Sequence, residues 1–221
     1  MLHSLFSRMR EPVNGLTHYF AALAAVVGLI GLLMLSHGDY FKQQSLLVYG
    51  ASLVLMLTTS AAYHLIPGSP RRMQFLRKLD HSSIFILIAG TYTPVCANLL
   101  SGFWQWGMLT LVWILAIIGT ISKTFLINTP RWFTATVYLI MGWLGVLGIR
   151  EILAALPVGA LVLLVLGGVA FTLGAIVYIT KRMNFFPGVF GFHEVWHIFV
   201  IVGCLFHFIL MAVYVAPVSL T

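Results

Sequence analysis

Seven apolar stretches follow one another along this chain, at residues 15–35, 45–66, 82–101, 106–122, 132–149, 157–179 and 193–216. Each meets or approaches the roughly 20 residues that a helix needs to cross a bilayer core. The fourth and fifth are the shortest, and Trp104, Trp106 and Trp132 beside them suit interfacial anchors. The alternation that strands require is absent, and in lipid only helices or closed barrels satisfy their own backbone. The expected fold is therefore an all-α membrane protein: one seven-helix transmembrane domain over residues 1–221, with a short tail at 1–14. A content of 61% hydrophobic against 8% charged residues leaves too little polar surface for a soluble globule. The first stretch is too long for the apolar region of a cleavable signal. Cys96 and Cys204 both fall inside predicted helices, which argues against a disulfide framework.

The net charge of +7 is distributed by topology. Arg8 and Arg10 lie in the tail, and Arg71, Arg72, Arg77 and Lys78 fall in the second-to-third loop. Lys123 and Arg131 fall in the fourth-to-fifth loop, and Lys181 and Arg182 in the sixth-to-seventh. Only Lys42 and Arg150 lie on the other side. The positive-inside rule then puts the N-terminus in the cytoplasm and the C-terminus outside, as an odd number of spans requires. The basic residues set orientation and meet lipid headgroups, so a nucleic-acid partner is not expected. Loops and tails are too short to form a ligand-binding domain, and no internal repeat suggests the paired halves of a transporter. Gly142, Gly145 and Gly148 in the fifth stretch, and Gly167, Gly168 and Gly174 in the sixth, are expected to let helices pack closely.

Ionisable groups inside a membrane are costly and therefore informative. His18, His64, Asp80, His81, His193, Glu194 and His197 all fall in one layer at the cytoplasmic helix ends; only His207 lies deeper. His193 and His197 are four residues apart, about one helical turn, which suits joint capture of a transition metal. A catalytic zinc site takes a third protein ligand, for which His64 is the best candidate. Asp80, expected at a helix start where the dipole favours a carboxylate, is next. It could ligate the ion or hold a metal-activated water and act as general base. Ser60 shares a helical face with His64 one turn away. Glu194 completes an H-E-x-x-H spelling, so an intramembrane metalloprotease with Glu194 as base is one alternative. Such an enzyme would leave His64 without a role. His81 points about 100° from Asp80, and His207 lies about 15 Å beyond His197. His18 fits either a position behind the ligands or one beside Asn14.

Several motifs carry a resemblance. Glu11-Pro12-Val13-Asn14-Gly15 with His18, Ser60-Ala61-Ala62-Tyr63-His64, Leu79-Asp80-His81-Ser82-Ser83, Ala89-Gly90-Thr91-Tyr92-Thr93-Pro94 and His193-Glu194-Val195-Trp196-His197 span nearly the whole chain. In that order they closely resemble the bacterial hemolysin III proteins, within the progestin and adiponectin receptor family. More remotely, the chain resembles the superfamily that includes alkaline ceramidases. The resemblance implies seven helices with the N-terminus inside and a multi-pass protein of the bacterial inner (plasma) membrane. It also implies a zinc ion on His64, His193 and His197, with Asp80 holding the zinc-bound water and Ser60 close by. Hydrolysis of a lipid amide or ester, from a ceramide-like or fatty acyl lipid, is the activity it suggests. The adiponectin receptors have glutamine where this chain has Glu194, and they carry a long N-terminal extension that this chain lacks, so no large protein ligand is implied. Two further readings remain: a non-enzymatic sensor of membrane state with a structural zinc, and, ranked last, an ion pathway.

Overall fold

The computed structural model of the chain describes residues 9–126, 128–186 and 189–217. Arg8 of the basic tail lies outside them. Among the described residues, eight α-helices form seven spans: α1 (Pro12–Leu35), α2 (Tyr40–Leu65), α3 (Pro70–Leu99), α4 (Gly102–Phe125), α5 (Arg131–Gly142), α6 (Ile149–Ala155), α7 (Val158–Thr180) and α8 (Phe192–Leu210). A 3-10 segment, Leu144–Gly148, joins α5 to α6 within the fifth span, and a π turn, Met211–Val215, extends α8. Seven helical segments are long and apolar enough to cross a membrane, as the sequence predicts.

Helix starts follow local chemistry. Pro12 and Pro70 sit in the first turns of α1 and α3, where a missing N–H costs nothing. Asp39 caps α2 by accepting from Lys42 N at 3.0 Å. Gly142, Gly145 and Gly148 mark the break between α5 and α6. There Tyr92 donates to Gly142 O (2.7 Å) and accepts from Gly145 N (2.8 Å), serving backbone groups that the interrupted helix leaves open. The glycines of α7 behave as expected. A Cβ at Gly174 would meet Trp196 and Phe199 of α8, and one at Gly167 would meet His207.

α2 and α3 form the enclosed centre of the bundle. α1 packs on α2, α2 on α3 and α3 on α4; α7 packs on α8, and α8 on α1. α5 leans on α7 and α3. The third span departs from expectation. α3 begins at Pro70, capped by Ser69, which accepts from Arg72 N at 3.4 Å. At 1.5 Å per residue this 30-residue helix is about 45 Å long, well beyond the hydrocarbon core. Arg71, Arg72, Arg77 and Lys78 therefore lie on the first turns of a helix, where long cationic side chains reach the interface, and not in a loop. Apolar periodicity could not locate this start, because the overhanging turns are polar.

Candidate metal centre

Three imidazoles converge where α2 ends and α8 begins. His64 is in the last turn of α2, and His193 and His197 are in the first turns of α8. One ring nitrogen from each lies within 4.8 Å of the others. The ring centroids form a nearly equilateral triangle: 5.0 Å for His64–His193, 4.8 Å for His64–His197 and 4.9 Å for His193–His197. Interplanar angles of 75°, 79° and 86° set the rings edge-on to one another and not stacked. His64 and His197 are buried, at 1% and 2% exposed. His197 Nδ1 has no hydrogen-bond partner among the described residues. Three imidazoles, one with an orphaned buried nitrogen, form a donor set that fits a transition metal ion.

A carboxylate lies behind one of the three. His64 Nδ1 donates to Glu11 Oε2 at 2.6 Å, and Glu11 N donates to His64 O at 3.0 Å. This leaves His64 Nε2 as its free ring nitrogen. Arg10 bonds the second oxygen of Glu11 at 3.0 Å and lies 4.1 Å from the centre of the Tyr63 ring. Burial alone would raise the Glu11 carboxyl. The hydrogen bond from His64, together with the Arg10 guanidinium, holds it down to about 2.

Glu194 stands apart from the cluster. Its Oε1 accepts from Asn14 Nδ2 at 2.7 Å and its Oε2 from Gly191 N at 2.8 Å. Asn14 also reaches Glu11 Oε2 at 3.3 Å. Glu11, Asn14 and Glu194 thus form a clasp between the starts of α1 and α8. With both oxygens committed to this clasp, Glu194 is not placed as the base that the H-E-x-x-H spelling invites. The spelling registers spacing, whereas the side chain follows the capping geometry of a helix start.

Asp80 is the eleventh residue of α3 and not its start, so the dipole argument for it does not hold. It is 8% exposed and lines the same cavity as Ser60. Thr59 bonds the carbonyl of Met56 (3.1 Å) and Ser83 (2.9 Å), and Ser83 in turn donates to the carbonyl of Asp80 at 2.8 Å. Ser60, Asp80, His193 and His197 line one cavity of about 150 Å³. His18 lines it as well, stacked on His197 with centroids 3.9 Å apart and planes at 21°. Neither ring nitrogen of His18 has a partner among the described residues. A second cavity of about 180 Å³ adjoins the first through shared walls at Thr91, Tyr92, Trp143, Gly168 and His207. Both are bounded mainly by apolar side chains. His81 gives its carbonyl to Tyr138 (2.7 Å), and its ring is not one of the three that converge.

Sequence reasoning singled out the three imidazoles, Asp80 and Ser60, all of which the fold brings to one end of the bundle. It gave Glu11 no role of its own. The available signal was an acidic residue directly before the first helix, at the end that carries most of the cations.

The family described as Haemolysin-III related matches residues 6–208. The chain is 32% identical to the Hemolysin-3 homolog of Bacillus subtilis (strain 168), over 90% of this chain and 91% of that protein. It is 33% identical to Hemolysin-3 of Bacillus cereus, over 95% of this chain and 93% of that protein.

Proposed function

We propose, for a chain that belongs to the Haemolysin-III related family of seven-span membrane proteins, a zinc-dependent hydrolysis of a lipid amide or ester. The observation that supports this reading is that two of the three clustered imidazoles, His193 and His197, line a mainly apolar cavity that Asp80 and Ser60 line as well. His64, His193 and His197 are the residues that hold the ion. Zinc bound there supplies Lewis acidity and lowers the pKa of a water toward about 7. Asp80 accepts a proton on the cavity side, and the Ser60 hydroxyl fixes the orientation of its carboxylate. The two adjoining cavities take the acyl chain and keep bulk water from the reacting carbonyl. In the orientation set by the basic residues, the reaction faces the inner leaflet of a bacterial plasma membrane.

Metal analysis and lipidomics together test this reading. Purified protein is expected to retain zinc and the His64→Ala/His197→Ala variant to lose it; zinc kept by that variant rejects the site. Lipid extracts of cells carrying the Asp80→Asn form are expected to accumulate an acyl lipid that the unaltered protein consumes. Identical lipid profiles reject the hydrolase.

A second reading is a zinc staple in a membrane-state sensor, supported by where the ligands come from. α2 and α8 share few contacts, with α1 lying against both, so an ion on His64, His193 and His197 links helices that are not close neighbours. On this reading Asp80→Asn keeps both zinc and cellular function.

A further inference from the structure

Two buried lysines of this chain sit in opposite electrostatic circumstances. Lys42, 3% exposed, has the Asp39 carboxylate at 3.6 Å. Among the described residues, Lys123, 6% exposed, donates only to hydroxyls: Thr129 Oγ1 at 2.6 Å and Thr134 Oγ1 at 2.7 Å, themselves 2.9 Å apart. The five acidic side chains of the chain are all placed elsewhere. Glu11 serves His64 and Arg10, Asp39 serves Lys42, and Glu194 serves Asn14 and Gly191. Asp80 faces Ser60 in the candidate centre, and Glu151 lies on α6 near the other end of the bundle. The charge that bears on Lys123 is Arg77, another cation. A hydroxyl pair satisfies two of the three ammonium donors but supplies no opposite charge, and a covered cation without one is costly.

What lies beside this ammonium is apolar. α4 and α5 are consecutive, yet each packs on α3, and α5 on α7, with little contact between the two. The space left between them is a groove of about 360 Å³, lined by Leu115, Ile118, Phe133, Val137, Ile140 and Met141. Ile118 and Ile140 are 55% and 62% exposed, so the groove opens on the lipid-facing side of a membrane span. Lys123 stands two residues before the end of α4, at headgroup depth.

We propose that this is a binding site for one anionic phospholipid, with its phosphate on Lys123, Thr129 and Thr134 and one acyl chain in the groove between α4 and α5. The ammonium donor left free by the threonines meets a phosphate oxygen, and the phosphate supplies the missing counter-charge. A zwitterionic lipid fills the groove equally well but brings its own cation to Lys123 and Arg77. None of the three histidines lines the groove, and Thr134 alone of the proposed phosphate ligands also borders the first cavity.

The test reconstitutes the full chain in nanodiscs holding equal amounts of phosphatidylglycerol and phosphatidylcholine and counts retained lipids by native mass spectrometry. The unaltered protein is expected to retain phosphatidylglycerol over phosphatidylcholine by about five-fold, the ratio that one basic residue near an anionic surface supports. Lys123→Met is expected to bring the ratio to parity. Ile140→Trp, an exposed position that tolerates the change, fills the groove and is expected to lower the count of tightly held lipid. Arg182→Gln, at an exposed position of the same bundle end, is expected to leave the ratio unchanged. Parity in the unaltered protein, which needs no variant to fold, overturns the proposal. So does an equal loss in Arg182→Gln and Lys123→Met, which would show a diffuse surface charge in place of a site.

Discussion

His64 Nδ1 and Glu11 Oε2 are 2.6 Å apart, and this contact joins the residue before the first helix to the last turn of the second. A carboxylate behind a ligating imidazole fixes its tautomer, holds its ring plane and makes the other nitrogen more basic. Backbone pairing of Glu11 N with His64 O fixes the same approach, so the side-chain contact is backed by a main-chain one. Glu11→Gln is expected to weaken zinc retention by about 10–100-fold, the usual cost of losing such a partner. Titration of purified protein with a competing chelator measures it. An unchanged affinity would show that the imidazole is oriented by the helix alone.

Glu194 gives a sharper separation between spelling and geometry. With one oxygen on Asn14 and the other on Gly191 N, its work is to join the starts of α1 and α8. Losing a general base costs about 10²–10⁴ in rate. Glu194→Gln keeps one carbonyl acceptor and is expected to lower turnover less than ten-fold, while Asp80→Asn falls in the larger range. A loss in Glu194→Gln equal to that in Asp80→Asn would restore Glu194 to the chemistry.

Much of this was legible before any coordinates, for physical reasons that differ by residue. The seven spans follow from solvation: lipid demands long apolar helices, and their number can be read from the chain. His64, His193 and His197 were legible because alternating spans return helix ends to one layer, where a histidine is conspicuous. The start of α3 was not, because its first turns carry Arg71, Arg72, Arg77 and Lys78 and read as a loop. The role of Glu194 stays open in the sequence, since helical spacing gives an angle around the axis and says nothing of rotamer. Lys123 counted only as one more cation for topology. That it is covered, with two threonines and no carboxylate, depends on how α4 and α5 splay, which no local pattern records.

His18 can be divided into a ring and its nitrogens. The ring stacks on His197 at 3.9 Å, while both nitrogens are buried on a cavity wall shared with Ser60 and Asp80. His18→Phe preserves a flat ring and removes the polar edge; His18→Ala removes both. If the ring acts by bracing His197, zinc affinity is expected to fall in His18→Ala and recover in His18→Phe. If the nitrogens face the substrate, both variants are expected to keep zinc and lose turnover. The bracing role predicts the first pattern in chelator titration, and equal zinc affinity across all three proteins would reject it.

The approach of α7 to α8 ties stability to the centre. A Cβ at Gly174 would run into Trp196 and Phe199, and Trp196 lies directly before His197. Adding a branched side chain there must push α8 outward or force its rotamers, at a cost of about 1–3 kcal/mol. Gly174→Val is therefore expected to lower the thermal unfolding midpoint in detergent and to weaken zinc binding, because His193 and His197 move with their helix while His64 stays on α2. Gly142 supplies the comparison. Among the described residues nothing lies within 4 Å of a Cβ at that position, so Gly142→Ala is expected to change stability by no more than about 0.5 kcal/mol. Unfolding scans with and without a chelator separate the two effects, since any loss of zinc affinity removes the part of the midpoint that zinc supports. A Gly174→Val protein that unfolds early yet binds zinc as tightly as the unaltered chain would show that α8 tilts about the cluster and does not carry it away.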